Sequence, residues 1–484
     1  MDHSSREKDL EVEAADINTT DDNVSLNPAV VRSLRRKADF ILLPVLSFAY
    51  LLNSLDRSNL ANANTAGLEG DLNLVGNQFN QILTYYQIPF IVLGPLFTVV
   101  TKIIGARYSL SAMLLTFGAA SLATGFVKDY GSLIACRVIV GVAESGFLAS
   151  VFYYLSVWYS RQELSTRVGI FYGALVASSA FGGLLSFGMF QVKPTSGYFR
   201  WSYLFFLEGG LTMIWGVVVY FYLPSDTESA WFLSDDEKAT ARRRIEMESS
   251  QSEEAKNSVS EFLIEFRSPH IYIRLISTFI QGVTLTSNAN FLAMIVKGLG
   301  FSTVRTNLLT IAPALVGAIT LISFCRSSDH FRERGYHIGG SLILSFAGYI
   351  ILFCTTSNVH WGVRYFAMFL CTMGAYPSTP LGATWTMANI PNLNARALSV
   401  GVYNSVGNCA GLLSSNIYLS REAPRYLTSL RVNLAMAALG SFVSFAYGLW
   451  MRWENRRRDR RTGPVDEATA RVFSTKDPAF RFQY

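Results

Sequence analysis

The chain of 484 residues is 50% hydrophobic, only 16% charged, and has a mean hydropathy of +0.27. Soluble proteins of this length carry roughly a quarter charged residues, so the composition argues against an ordinary cytosolic enzyme or binding domain. The net charge of +6 and pI near 9.0 do not imply a nucleic-acid partner, because the basic clusters flank apolar runs as cytoplasmic loops of membrane proteins do.

Residues 1–37 read as a disordered tail, polar and acidic at first, ending in the basic cluster Arg32, Arg35, Arg36 and Lys37. No apolar run of a cleavable signal peptide precedes it. Apolar runs of roughly 18–25 residues, the length at which a helix crosses a bilayer, then predict twelve spans. The first six are 38–63, 78–100, 107–127, 131–157, 166–191 and 201–223. A polar linker follows at 224–270, where Ser234 before Asp235-Asp236-Glu237 reads as a helix N-cap. The second six are 271–296, 304–325, 337–356, 360–388, 397–419 and 428–450, followed by a basic tail at 451–484. The predicted fold class is therefore an all-α membrane protein, with an N-terminal half at 38–223 and a C-terminal half at 271–450.

Basic residues flank both ends of the bundle and fill the linker at Arg242, Arg243 and Arg244. The positive-inside rule places all three in the cytoplasm, although Lys193, Arg200, Arg421 and Arg425 fall in outer loops. The sequons at Asn18 and Asn23 then lie in the cytosol and stay unglycosylated. Gly169 and Gly173 in the fifth span, and Gly407 and Gly411 in the eleventh, carry the small-xxx-small spacing that lets helices approach closely in lipid. Their matching positions favour a duplicated bundle, with the site where the repeats meet. The five cysteines form no CxxC pair and no zinc-ligand spacing, so no metal or cofactor is expected. No P-loop, GxSxG elbow or HExxH helix is present, which argues against an enzyme.

Charges inside the spans are the strongest functional signal, because ionised groups persist in hydrocarbon only where they face protein or water. Asp56 and Arg57 lie in span one, Arg137 and Glu144 in span four, and Glu208 in span six. At 1.5 Å per residue, Arg57 lies about 28 Å from the inner start of its span and Arg137 about 9 Å from the outer start of its own. In a membrane about 40 Å thick the two fall at similar levels. Asn53, Arg57 and Asn64 share one helical stripe, with Ser54 and Asn62 beside it, which reads as a cavity wall. The alternative is an ion-pair network that only locks spans one and four together.

The chain resembles the major facilitator superfamily, and within it the anion:cation symporter family, over nearly all of 38–450. The resemblance rests on LDRSNLANA, CRVIVGVAESGF with YLSVWYSRQELSTR, RWSYLFFLEGG, YLPSDTESAWFLSDDEKATARRR, GAYPSTPLGATWTMANI and GVYNSVGNCAG, in that order. It departs from the superfamily pattern after span two, where the loop at Thr98–Arg107 lacks the usual acidic residue; Asp329 with Arg332 and Arg334 keeps it after span eight. The resemblance implies proton-coupled uptake of a small organic anion by alternating access. On that reading Arg57 and Arg137 grip the carboxylate, with Asn53 beside them, and Asp56 and Glu144 carry protons. Read from the residues themselves, Trp385, Tyr403, Asn404 and Asn408 are candidate substrate contacts in the second half, amides to fix a carboxylate and an indole as a flat wall, the alternative being ordinary interhelical hydrogen bonding; Tyr85, Tyr86 and Gln87 are further candidates. Arg364 resembles Arg137 by position in that half, but Cys371 replaces the acid. Glu208 is read as a structural hydrogen-bonding group, and Glu163 with Arg167 as an i,i+4 pair on the cytoplasmic surface that either latches the inward gate or simply caps the helix. The implied partners are substrate anion, protons and the lipid bilayer, for a monomer in the plasma membrane. An exporter of a fungal secondary metabolite and a non-transporting sensor are the rival readings.

Overall fold

A computed structural model of the chain describes residues 27–193, 197–248, 259–298, 303–355, 361–418, 422, 425–463, 465, 475 and 477–484. Asn18, Asn23 and Arg421 lie outside the described residues. Twelve long helices are present among those described. They are α1 (Pro28–Thr65), α2 (Gln78–Ile104), α3 (Ala106–Thr124), α4 (Tyr130–Trp158), α5 (Leu164–Met189) and α6 (Ser202–Tyr222). After the linker come α7 (Pro269–Gly298), α8 (Thr303–Phe331), α9 (Gly335–Cys354), α10 (Trp361–Ala388), α11 (Leu393–Asn416) and α12 (Leu427–Thr462).

The first and last helices are longer than their apolar runs predict. Asn27 caps α1 by accepting from the Ala29 N–H at 3.0 Å, and Pro28 follows at the first helical position. The basic cluster 32–37, expected in a disordered tail, is therefore helical. Likewise α12 runs through Arg452 and Arg460 to Thr462, and residues 477–484 fold back onto the bundle. At 38 and 36 residues, these helices are roughly 55 Å long and project well beyond a hydrocarbon core of about 30 Å. In the linker, Ser234 and Glu237 form a reciprocal capping box: Ser234 N–H donates to Glu237 Oε2 at 2.9 Å and Glu237 N–H to Ser234 Oγ at 3.4 Å.

The two halves repeat one packing scheme. In the first, α1 packs on α5, α2 on α4, and α3 on α6; in the second, α7 packs on α11, α8 on α10, and α9 on α12. The seam between halves is made by α2 with α11 and α5 with α8. Gly118 and Gly209 allow α3 and α6 to touch: a Cβ on Gly209 would lie 2.4 Å from the Leu122 nitrogen. The paired glycine motifs are less equivalent than their spacing suggests. Gly169 sits against Cys325 of α8 across the seam, whereas Gly407 sits against Thr278 of α7 within its own half. Gly173 has open space around it.

Hydrogen bonds across the seam cluster on the face that carries the basic ends of α1 and α12. Asp329 accepts from the Thr166 N–H (2.7 Å) and the Ser165 N–H (3.2 Å), capping α5 from the other half. Ser165 Oγ meets Thr384 Oγ1 at 2.7 Å, and Arg396 donates to the Ser156 carbonyl at 3.3 Å. This terminus face is shut.

Candidate functional site

The sequence of α4 explains how its charges are held. Arg137 and Glu144 are seven residues apart, two turns on one stripe. The helix then breaks at Ser145-Gly146, where Ser145 Oγ bonds back to the Val142 carbonyl at 2.8 Å. Small residues draw α2 onto this break. A Cβ at Gly141 would stand 2.4 Å from the Tyr86 carbonyl oxygen, and one at Gly146 would stand 2.3 Å from Phe97 Cβ. That approach places the Tyr86 hydroxyl on Glu144, donating to Oε2 at 2.7 Å.

Asp56 and Arg57 are adjacent on α1, so their side chains diverge by about 100°. The result is a crossed pair of ion pairs between α1 and α4. Arg57 Nε meets Glu144 Oε2 at 3.5 Å, and Arg137 Nη1 meets Asp56 Oδ2 at 3.5 Å. Each helix thus supplies one cation and one anion.

The two pairs differ in access. Arg137 and Asp56 are sealed, each side chain 3% exposed. Ser121 of α3 donates to Asp56, the Phe205 ring lies 5.1 Å from the Arg137 guanidinium, and Asn59 donates to Glu208 behind them. Arg57 instead keeps 27% of its side chain exposed while Glu144 has none. Its Nη2 donates to Asn53 Oδ1 at 3.2 Å, and its guanidinium lies 4.6 Å over the Phe90 ring. Arg57 is thus the one member of the two pairs that keeps a solvent-accessible edge.

Bonding in this cluster is incomplete. Asp56 Oδ2, Arg57 Nε, Arg137 Nε and Nη2, Glu144 Oε1 and Glu208 Oε1 are buried without a hydrogen-bond partner. Buried polar groups are nearly always satisfied, so six such atoms on five neighbouring charged residues set this cluster apart from its surroundings. Three carboxyls against two guanidiniums also leave one carboxyl without a matching cation.

In the second half, Tyr403 is buried, donating to Gln281 Oε1 (3.1 Å) or the Thr379 carbonyl (3.2 Å). Gln281 in turn donates to Ser277 at 2.9 Å. Gly382 leaves room for this, since its Cβ would stand 2.3 Å from the Tyr403 hydroxyl. Asn404 is buried one residue on, and Asn408 donates to the Asn404 carbonyl within α11.

Several expected residues sit elsewhere. Trp385 lies three residues from the C-terminal end of α10, with Nε1 donating to the Gln483 carbonyl at 2.8 Å and its ring 5.1 Å from Tyr447. It packs against the returning tail and is not a cleft wall. Glu163 and Arg167 do not pair through their side chains. Glu163 takes Arg35 and Arg244 at 2.8 Å each, and Arg167 takes Asp39 at 2.8 Å, because other elements bring partners closer than the helix does. Burial raises the Glu163 carboxyl, but Arg244 and Arg35 outweigh it and hold it below its usual value. Asp329 pairs with Arg334 at 2.7 Å, while Arg332 is exposed in a left-handed turn with φ 57°. Cys371 is buried where the repeat would place an acid, against Gly348 of α9. Gln281, Asn59, Ser121 and Phe90 were not singled out by sequence; a glutamine in the apolar run of α7 was the available signal for the first.

The sequence profile of the Major Facilitator Superfamily matches residues 46–415. An uncharacterized transporter of Schizosaccharomyces pombe is 41% identical, over 92% of this chain and 87% of its own length. The high-affinity nicotinic acid transporter of Saccharomyces cerevisiae is 29% identical, over 96% of this chain and 88% of its own. Among solved structures, the proton:xylose symporter XylE superposes with a TM-score of 0.64 at 18% identity, covering 89% of this chain and 96% of that one.

Proposed function

The chain belongs to the Major Facilitator Superfamily and is a multi-pass membrane transporter, and from that premise we propose that it takes up a small organic anion together with a proton. The observation that carries this reading is Arg57, a guanidinium with one edge open to solvent and a loose 3.5 Å contact to a fully buried carboxyl, Glu144. A carboxylate substrate competes with Glu144 for the same cation. When Glu144 takes up a proton, Arg57 loses its internal partner and its fork is free to bind the incoming anion through paired hydrogen bonds. The two events help each other, which is coupling in the thermodynamic sense. Asp56 and Arg137, sealed behind, hold the second acid–base pair of the relay, with Glu208 and Asn59 as its hydrogen-bonding support.

Phe90 and Tyr86, stacked at 5.6 Å beside Arg57, offer a flat wall to a substrate ring. Tyr403, Asn404 and Asn408 are the proposed facing contacts, with Gln281 added from its bond to Tyr403. Nicotinic acid, named for the yeast relative, is a planar anion that suits such a wall. The proposal also places the chain in the anion:cation symporter subfamily, as a monomer in the plasma membrane with both termini cytoplasmic and its cleft facing outward.

The test is uptake by the full chain in a fungal null strain, with a panel of labelled monocarboxylates, across a pH series. Wild-type uptake is expected to rise as external pH falls. Arg57→Lys keeps the charge but loses the fork, and should raise KM for the anion at least tenfold. Normal uptake by that variant at every substrate concentration overturns recognition by Arg57. Counterflow with and without a pH gradient separates import from export.

A further inference from the structure

Residues 480–484 lie along the terminus face with alternate side chains turned inward. Phe480 is fully buried and Phe482 is 3% exposed. Arg481 between them lies against the end of α12, its side chain 9% exposed, with Nε donating to Asp459 at 2.7 Å and Nη2 to Thr462 Oγ1 at 3.3 Å. Two asparagine side chains read the backbone as a neighbouring strand would. Asn455 of α12 accepts from the Phe482 N–H (2.9 Å) and donates to its carbonyl (2.7 Å). Asn389, just past α10, does the same for Gln483 at 2.9 Å in both directions. The Phe482 ring sits 5.4 Å from His270 and 5.8 Å from Trp450. Backbone pairing with pockets for alternate side chains is how proteins bind extended peptides.

The groove belongs to the second half, but its cover comes from the first. Arg161, in the turn between α4 and α5, lies 5.4 Å over the Phe480 ring. Arg334 ties the two together: its backbone N–H donates to the Tyr484 carbonyl at 2.6 Å, and its Nη2 donates to the Arg161 carbonyl at 2.5 Å.

We propose that this face holds a peptide-binding groove whose resident ligand is the chain's own segment 480–484, and that its occupancy holds the terminus face shut. Opening that face takes Arg161 away from Phe480 and uncovers a buried ring, so the segment makes contacts in the closed state that the open state lacks. A ligand with such differential contacts shifts the equilibrium toward the closed state. The tether supplies it at millimolar effective concentration. The proposal rests on alternating access and not on the identity of the substrate.

The experiment uses the full chain in proteoliposomes with a Ser156→Cys reporter on the seam, labelled from the terminus face by a membrane-impermeant maleimide. Labelling is measured against the same chain without the reporter. Phe480→Ala with Phe482→Ala, and a chain lacking 479–484, should label at least threefold faster. Millimolar Phe-Arg-Phe-Gln-Tyr peptide should restore the slow rate, and Ala-Arg-Ala-Gln-Ala should not. An unchanged rate in variants that elute as a single species overturns the latch, and so does a rise that the peptide leaves unaltered. Should those variants not fold, Arg161→Cys with Phe480→Cys provides the second route: oxidation should stop transport and reductant restore it, and transport indifferent to oxidation overturns the proposal. Labelling needs no substrate, so its failure is distinct from an error about the transported anion.

Discussion

On the terminus face, Arg334 meets Asp329 at 2.7 Å and Arg274 meets Glu265 at 2.8 Å, and both guanidiniums also donate to backbone carbonyls. In the middle of the first half, the Arg57–Glu144 and Arg137–Asp56 pairs stand at 3.5 Å, with buried atoms on both sides left without hydrogen bonds. Burial alone does not separate these groups, since Arg334 and Glu144 are both fully covered. What separates them is how closely the charges are held and how much bonding surrounds them. Arg274 uses all three guanidinium nitrogens, on His270, Thr386 and Glu265, and Arg334 keeps its 2.7 Å pair although its Nε lacks a partner; such close buried pairs are costly to break. The longer pairs, with unpartnered atoms on every member, are easier to rearrange, as the proposed exchange of protons and anions requires. The second half reinforces the contrast: where α4 has Glu144, α10 has Cys371, and the polar groups facing that half, Gln281 and Tyr403, are neutral.

Five substitutions probe this contrast, beginning with the largest effect. Arg137→Met leaves Asp56 buried without a cation and should cost about 3–5 kcal/mol of stability, read as a lower melting temperature in detergent. A fully stable variant would mean that the sealed pair is not ionised. Arg57→Ala also leaves the buried Glu144 without its cation, but Glu144 keeps the Tyr86 hydrogen bond, so the variant should melt below wild type yet above Arg137→Met, and lose uptake by about 10²-fold at low substrate. Equal losses of folding and uptake at both arginines would erase the distinction between sealed and open pairs. Gly141→Ala drives a methyl into the Tyr86 backbone and should destabilise by about 1–3 kcal/mol. Its uptake should also shift in pH dependence, since Tyr86 carries the hydrogen bond to Glu144.

Tyr403→Phe removes one neutral hydrogen bond worth about 0.5–1.5 kcal/mol. KM should rise severalfold with the pH profile unchanged, and a changed profile would bring the second half into proton coupling. Glu237→Gln probes the smallest contact, a linker ion pair whose Lys37 is 42% exposed, and should cost no more than about 1 kcal/mol. Burial raises the Glu237 carboxyl, but Lys37 and Ser33 outweigh it and hold it down from 4.5 to about 2. A depressed carboxyl contributes fully above its unfolded value, so this linker contact should persist above pH 4.5 and fade as pH falls toward 2. Melting curves of wild type and variant should therefore converge at low pH.

Sequence alone carried the architecture a long way. Span length and apolarity are local properties, summed along a run, and they place a transmembrane helix without reference to its neighbours. The Ser234 cap, the linker and the rarity of charges in the spans were legible for the same reason. The polar cluster around Asp56, Arg57, Arg137 and Glu144 followed from the cost of charge in hydrocarbon, which depends on depth and not on partner. Partners were another matter. Only the tertiary arrangement that sets α1 and α4 side chains across from each other crossed the ion pairs, and only α2, drawn onto α4 at Gly141 and Gly146, brought Tyr86 and Phe90 to them. Only the return of residues 480–484 took Trp385 out of the cleft, and only helices from elsewhere drew Glu163 and Arg167 apart. Those outcomes turn on which side chains lie within a few ångströms across helices distant in sequence, and a one-dimensional pattern does not contain that distance.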